Sequence, residues 1–513
     1  MGVSTKLGEA IFFLYLCLPN TQTIMKRLLT IATLFVSVLL FTACDDKDAL
    51  LNTISVKSSY SCSYDRQTLT IDYRLSNNDE SVIATSNADW IQIIDTSKAG
   101  KVTLDIAFNS STDRSAVVTL RATGYAPTDV TITQIAAPKD TSHTLMFYFF
   151  GTSLGRYFKT NIEDAKAAIS TGVLGNDNRV IYLMQDSKHT ARICEICFDA
   201  SNGECIEREI EQITIDGELI TTDAIAANIA KMADSAEAES YGIVFAGHGQ
   251  GWIPREVLNG SEGISTFSTM NVWQPAVGAE VTRAFGENNV QVNPAELAEG
   301  IEKSGVELDY ILFDACFMAN IEAIYDLRNS ADYIIASPCE IMGKGFPYHR
   351  TLPYLFARSG DSSDVTGAAE SYHLYYRDEY TSLRCGSVAV FDCREIEALA
   401  DATSQVVKSA KNKDEYDYNK LQTYEGQVVH QFYDFGEWVN VVATDEAALK
   451  QFNEQLARTV IDKYTLTTFY SAYGSYGTYK INVDIYSGVT TSAPSEAYPD
   501  YWKKTNWYKA VWE

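Results

Sequence analysis

Ile243-Val244-Phe245-Ala246-Gly247-His248-Gly249-Gln250-Gly251-Trp252 and, further along, Ile311-Leu312-Phe313-Asp314-Ala315-Cys316-Phe317-Met318 share one pattern: a short, solid apolar run that ends in a reactive side chain. Continuous apolar runs of this length read as strands buried on both faces. Similar runs occupy residues 145–150, 180–184 and 334–336, and helical stretches alternate with them at 162–169, 222–233 and 294–303. Alternation of this kind predicts an α/β domain with a mostly parallel sheet and helices on both faces. Ligands collect at the carboxyl ends of strands in open sheets. A histidine and a cysteine that end neighbouring strands would therefore share one crevice.

Chemistry gives that pairing its meaning. A free cysteine is only a few per cent thiolate at neutral pH; a nearby imidazole can deprotonate it or hold it as an ion pair, and later protonate a leaving amine. His248 and Cys316 are thus the candidate base and nucleophile. The glycines around His248 let a substrate backbone come close and free the amides of Gly249 and Cys316 to face a developing oxyanion. Singly, a histidine after a strand reads as a structural residue and a buried cysteine as inert; paired in matched contexts, they point to catalysis. The other five histidines lack such a setting. His143 falls in a short linker, His189 precedes a hairpin, and the surroundings of His349, His373 and His430 suggest no partner.

Residues 244–252 resemble the histidine motif of clostripain-like cysteine peptidases, a branch of the caspase-like fold. Residues 308–319, with Glu322 just beyond, resemble their nucleophile motif, and 331–337 with Gly345-Phe346-Pro347-Tyr348 continue it. Weaker echoes such as Tyr433-Asp434-Phe435 extend the likeness over about residues 144 to 440; beyond roughly 460 little matches, and the Tyr-rich stretch from 464 to 479 reads as extra strands. The resemblance implies an endopeptidase that cuts after Arg, or Lys, through an acyl-enzyme on Cys316. A pocket for Arg needs a carboxylate at its base. Asp314 matches the family position that lines it, although an acid there also suits capping of loop amides at a strand end. The family is often activated by a cut between histidine and cysteine. Within the Gly-, Ser- and Asn-rich insertion 253–293, Arg283 is the candidate self-cleavage site, Arg255 competes with it, and an ordinary solvated arginine is the alternative to both. Some members respond to calcium; the scattered acids here spell no calcium loop, and neither cofactor nor metal is assigned.

The first residues carry an address. Lys26-Arg27 precede an apolar run from 28 to 41 that meets Phe41-Thr42-Ala43-Cys44, a secretory pattern too short for a membrane span. Its end resembles a bacterial lipoprotein signal in which Cys44 is acylated, with Phe41 departing from the usual Leu. The expected organisation is an upstream extension 1–24 before a start at Met25, a signal 25–43, a tether 44–54, a β-sandwich 55–136, a linker 137–143, and a peptidase domain with C-terminal extension over 144–513. Export and lipid anchoring to the cell envelope, periplasmic or surface-facing, follow from the signal. Period-two alternation at Val102, Leu104, Ile106 and again at Ala116, Val118, Leu120 predicts the all-β module. Asn87-Ala88-Asp89-Trp90-Ile91, Asn109 with Arg114, and Gly124 before Val130-Thr131-Ile132-Thr133-Gln134 resemble the BACON domain, an immunoglobulin-like module for which glycan or mucin contact is proposed. Trp90 is either part of that contact or a core residue, and the module either a binder or a spacer.

Composition limits the partners. With 41 Lys and Arg against 67 Asp and Glu the chain carries a net charge of −26, which argues against nucleic acid and favours cationic partners or substrates. Cys194, Cys197 and Cys205 cluster at a predicted hairpin as a cross-hairpin disulfide, core thiols or, lacking a fourth ligand nearby, a less complete zinc set. Cys62, Cys339, Cys385 and Cys393 read as core. Two competitors to Arg-directed cleavage stay open: a glycan-binding lipoprotein with a silent caspase-like domain, and the same dyad with a pocket for Asn or Asp.

Overall fold

The computed structural model describes residues 52–513 except 65–66, 77–80, 108, 110–111, 137–141, 176–177, 200–201, 218, 259–278, 280, 284–291, 360–361, 381–382, 384, 428, 474–479 and 494–497. Cys44, the signal and the upstream extension lie outside the described residues, as does most of the linker.

The N-terminal region is a sandwich of eight strands: β1 (Ile54–Val56), β2 (Ser59–Cys62), β3 (Gln67–Leu75), β4 (Ile83–Ser86), β5 (Ile91–Asp95), β6 (Lys101–Ile106), β7 (Arg114–Arg121) and β8 (Thr128–Gln134). They form two four-stranded sheets, in orders β1-β3-β6-β5 and β2-β8-β7-β4. Alternate residues such as Ile71, Val102, Leu104, Val118 and Ile132 point inward and build one fully buried core. Arg114 lays its guanidinium 4.3 Å over the Trp90 ring. It also donates to the Gln134 side chain at 2.9 Å and to the Ala107 carbonyl at 2.7 Å. The Asn109 amide donates to the carbonyls of Thr112 (2.8 Å) and Ile135 (2.9 Å). Trp90 itself is half-buried against the core. Asn109, Arg114 and Trp90 therefore brace the sandwich from within.

The second region is built on a nine-stranded sheet. Its strands are β9 (His143–Phe149), β10 (Arg179–Gln185), β11 (Thr190–Asp199), β12 (Glu204–Thr214), β13 (Ser240–Ala246), β14 (Tyr310–Asp314), β15 (Tyr333–Ala336), β16 (Val388–Asp392) and β17 (Val460–Tyr464), in the order β12-β11-β10-β9-β13-β14-β15-β16-β17. The five strands from β10 to β15 in that order are parallel. The margins are antiparallel, so the sheet is mixed rather than mostly parallel. At one margin the cause is local: Gly203, at φ 73°, makes the tight turn of the β11–β12 hairpin, and strands joined so closely can only run antiparallel.

Helices α1 (Gly155–Ser170), α2 (Thr222–Ser235), α3 (Pro294–Ser304) and α4 (Ile321–Asp326) connect the parallel strands. α3 is delimited by its sequence: the Asn293 amide donates to Glu296 at 3.3 Å, Pro294 opens the first turn, and Gly305 at φ 71° ends it.

Three expectations change. His143 opens β9 instead of lying in a linker; it is fully buried, with Nδ1 2.7 Å from Ser240 Oγ and Nε2 3.0 Å from the Tyr310 hydroxyl. His430 does have a partner, Glu425 at 2.8 Å, and this carboxylate outweighs burial and raises the imidazole pKa. The chain beyond 460 is more than extra strands. Thr468–Tyr470 pairs with Lys480–Asn482, Thr490–Thr491 pairs with Tyr433–Asp434, and helices Pro499–Trp502 and Asn506–Trp512 follow. The buried Glu322 fastens this segment beside α4, accepting from Thr491 Oγ1 (2.9 Å), the Ser492 amide (3.0 Å) and Trp502 Nε1 (3.1 Å). Cys194, Cys197 and Cys205 are free thiols, and Cys62, Cys339, Cys385 and Cys393 are buried ones.

Candidate active site

β13 and β14 are neighbouring parallel strands in which Ala246 pairs with Asp314. His248 and Cys316 each lie two residues beyond that pair, at the same end of the sheet. The backbones come close enough to dictate a glycine: a Cβ on Gly249 would sit 2.2 Å from the Cys316 carbonyl oxygen and 2.8 Å from its nitrogen. Phe317, directly after the cysteine, has φ 61°, the left-handed region that a bulky residue enters only under constraint. Its amide donates to the Cys339 carbonyl at 3.1 Å and its ring stacks on Phe432 at 4.6 Å, which supply that constraint.

The cleft is filled by the chain itself. Residues 281–283 run antiparallel to 341–343: the Arg283 amide donates to the Ile341 carbonyl at 2.8 Å, Thr282 bridges to Met342, and the Gly343 amide donates to the Val281 carbonyl at 2.7 Å. The Arg283 carbonyl oxygen accepts from the amide of Gly249 at 2.8 Å and from that of Cys316 at 3.3 Å. These are the two amides whose positions suggest an oxyanion site.

The side chain of Arg283 enters a closed pocket and is fully buried. Nη1 lies 2.9 Å from an Asp314 carboxylate oxygen and donates to the Asp314 carbonyl at 3.0 Å; Nη2 donates to Asn161 Oδ1 at 2.8 Å; Nε donates to the Gly343 carbonyl at 3.2 Å. Asp314 also accepts from the Tyr348 hydroxyl at 2.7 Å and the Phe346 amide at 3.3 Å, so it both pairs with the arginine and holds the loop. Burial raises its carboxyl, with Arg283, Tyr348 and Phe346 pulling the other way. Gly345, at φ 71°, lines the pocket where nothing larger fits: a Cβ there would lie 2.3 Å from Arg283 Nη2 and 2.5 Å from the Asp314 oxygens. Arg255 stands elsewhere, 3.1 Å from Glu296 at the start of α3.

With the segment in place, the thiol is held neutral. Burial pushes the Cys316 pKa well above the usual thiol range, and the carboxylate of Glu340 adds to the shift. Its sulfur accepts from the Ile341 amide at 3.0 Å. His248 Nε2 shares a hydrogen bond with Ser153 Oγ at 2.9 Å.

Sequence reasoning passed over Asn161, Ser153 and Glu340. Asn161 left a signal, a polar residue on the buried face of α1 beside Phe158, Ile162 and Ala165. Ser153 and Glu340 left none, because neither lies in a repeating pattern and both reach the cleft through the fold.

Comparison with known proteins agrees with this geometry. The model of the Clostripain family matches residues 152–511, extending the likeness through the chain end. A secreted cysteine protease from Bacteroides thetaiotaomicron is 28% identical, with a TM-score of 0.63 over 72% of this chain and 99% of that one. An inactive zymogen of the same protease class from Parabacteroides distasonis is 26% identical, with a TM-score of 0.60 over 72% and 98%. No curated protein matches. Glycine-flanked histidine, adjacent cysteine and a family model that spans most of the chain lead to one conclusion: the chain belongs to the clostripain family of cysteine peptidases, on a caspase-like fold.

Proposed function

We propose that this peptidase cuts after arginine and activates itself by cutting between Arg283 and Ala284. The observation that carries the reading is the pose of Arg283: its carbonyl oxygen rests on the Gly249 and Cys316 amides while its guanidinium reaches Asp314. A substrate held this way has its carbonyl polarised beside the nucleophile. His248 takes the proton of Cys316, the sulfur attacks the arginine carbonyl carbon, and the oxyanion forms between the two amides. The carbon–nitrogen bond then breaks as His248 protonates the leaving amine, and water releases the acyl-enzyme with His248 again as base. All groups in this sequence are protein groups, so the reading assigns no cofactor.

The pocket supports arginine over lysine. Its acceptors are dispersed around a planar fork: the Asp314 carboxylate and carbonyl, Asn161 and the Gly343 carbonyl. An ammonium, being a point donor, leaves some of them unmet. A basic substrate also suits a chain of net charge −26. In the uncut chain the occupied cleft and neutral thiol keep other peptides out. The leader pattern and the secreted relative support export, with acylation at Cys44 as the anchor. The sandwich serves as a spacer, since Arg114 covers a face of Trp90 that a sugar ring would need.

Fluorogenic peptides with Arg, Lys, Asn or Asp before the scissile bond, offered to wild type and Cys316→Ala, test the reading. Expected is turnover of the Arg peptide that falls by about a thousandfold or more in the variant, together with a new N-terminus at Ala284 in wild type alone. Turnover confined to Asn or Asp peptides would overturn the Arg pocket and keep the dyad.

A further inference from the structure

One buried acid beside the cleft has no part in the steps above. Glu340 follows Cys339 in the loop after β15, is fully buried, and precedes residues 341–343, which pair with the bound segment. Its carboxylate is held from the far side by the chain's C-terminal region. Ser471 donates its hydroxyl, and the Ala472 amide donates to both oxygens, at 3.1 and 3.0 Å. On the cleft side it faces Thr282, the residue before Arg283: Thr282 pairs with Met342, two residues past Glu340, so the side chains of Thr282 and Glu340 lie on one face of the paired segments. Among the described residues no cation pairs with it.

A buried carboxylate supplied only with neutral donors has to fill its remaining acceptor positions or bear the cost of desolvation. The Thr282 hydroxyl is placed to fill one while its backbone bridges to Met342, so main chain and side chain are read together. A side chain of the same shape without the hydroxyl would seal the carboxylate from water and give it nothing in return. Sites built to bond a substrate hydroxyl discriminate far more strongly against the analogue lacking it than apolar pockets discriminate by size.

We propose that Glu340, positioned by Ser471 and Ala472, forms a second specificity subsite that selects a hydroxyl side chain, threonine or serine, immediately before the cleaved arginine. This rests on the peptidase reading above and adds to it: Asp314 chooses the residue that donates the cleaved carbonyl, and Glu340 chooses the one before it.

The test uses the full chain and an isosteric pair. Peptides ending in Thr-Arg, Ser-Arg, Val-Arg and Lys-Arg before the fluorophore are compared by kcat/KM, with the self-cleavage rates of wild type, Thr282→Val and Thr282→Ser followed in parallel. Expected is a Thr-Arg over Val-Arg preference of about tenfold or more, and a self-cleavage rate that drops correspondingly in Thr282→Val and is kept in Thr282→Ser. In Glu340→Gln the Thr-to-Val ratio collapses toward one, whereas a merely structural role would lower both rates and preserve the ratio. Equal turnover of Thr-Arg and Val-Arg by wild type would overturn the subsite, and a Lys-Arg preference above Thr-Arg would overturn its hydroxyl selectivity; both outcomes are legible even if Glu340→Gln does not fold. Absence of turnover on every Arg peptide would instead overturn the underlying peptidase reading.

Discussion

The sandwich and the sheet domain each carry residues that resemble a known family, and the fold spends them differently. In the sandwich, Trp90, Asn109 and Arg114 are tied to one another or to nearby carbonyls of the same module. In the sheet domain, Gly249, Cys316 and Asp314 bond to a segment lying in one cleft, with His248 at the same end of the sheet. A motif is evidence of constraint, and the geometry around it tells whether the constraint serves the module or something the module holds. Residues whose hydrogen bonds end within their own module are candidates for stability. Those whose bonds end on a separate segment are candidates for recognition.

Substitutions that separate the two kinds of constraint sharpen this contrast. The largest effect is expected from Asp314→Asn, which leaves a guanidinium in a closed pocket without its counter-charge. Breaking one partner of a buried pair costs about 3–5 kcal/mol. The kcat/KM for Arg peptides should fall by about a hundredfold or more, and processing at Arg283 should slow with it, while thermal stability of the cut enzyme is kept. A variant that loses stability and leaves kcat/KM unchanged would move Asp314 to the structural side.

Arg114→Ala is the counterpart in the sandwich. It strips Trp90 of its cation–π cover and leaves the Gln134 side chain and the Ala107 carbonyl short of a donor, at about 1–3 kcal/mol. Calorimetry should show a lower first unfolding transition, with kcat/KM on peptides unchanged within about twofold. A comparable loss of activity would mean that the two regions do not act independently.

The smallest effect concerns pH. Burial raises Glu340 to about 7 with Thr282 in place. The titratable neighbours that feel its charge, Cys316, Cys339, Cys385 and Tyr473, are all raised by burial, and the ratio of two peptides cancels the titration of the catalytic pair common to both. The Thr282 hydroxyl lowers the carboxyl pKa, so threonine favours the ionised form, and without it the carboxyl titrates higher. The Thr-over-Val preference should therefore grow a few-fold as pH rises from about 6 to about 8.5, and level off once the carboxyl is ionised with valine in the subsite. A ratio that falls over this range would contradict an accepting carboxylate.

The pair His248 and Cys316 was legible because each ends an apolar run and the register of parallel strands does the rest. Asp314 and Arg283 were each pointed to by the family resemblance, one as a pocket acid and the other as a candidate cleavage site, and only the fold brings them to 2.9 Å of each other. Two kinds of feature escaped. The antiparallel margins of the sheet arise at one side from short turns and at the other from long connections, and apolar runs do not record direction. Glu340, Asn161 and the stretch Ser471–Tyr473 meet at the cleft from distant parts of the chain, with no periodicity to announce them. His143 was misplaced for a related reason: a polar residue at a strand's first position looks like linker until its partners Ser240 and Tyr310, far along the sequence, are seen.

The fastening of the chain end has a consequence for when this enzyme comes into being. Ser471 and Ala472 hold Glu340, Ser492 accepts from Trp252 Nε1 at 2.7 Å next to the histidine loop, and Glu322 ties down Thr491 and Trp502. A growing polypeptide that stops short of these residues already contains His248, Cys316 and Arg283, yet lacks the segments that hold Glu340, Trp252 and Glu322 in place. Completion of the cleft therefore waits on the docking of residues 471–502, which are made well after the histidine and the cysteine.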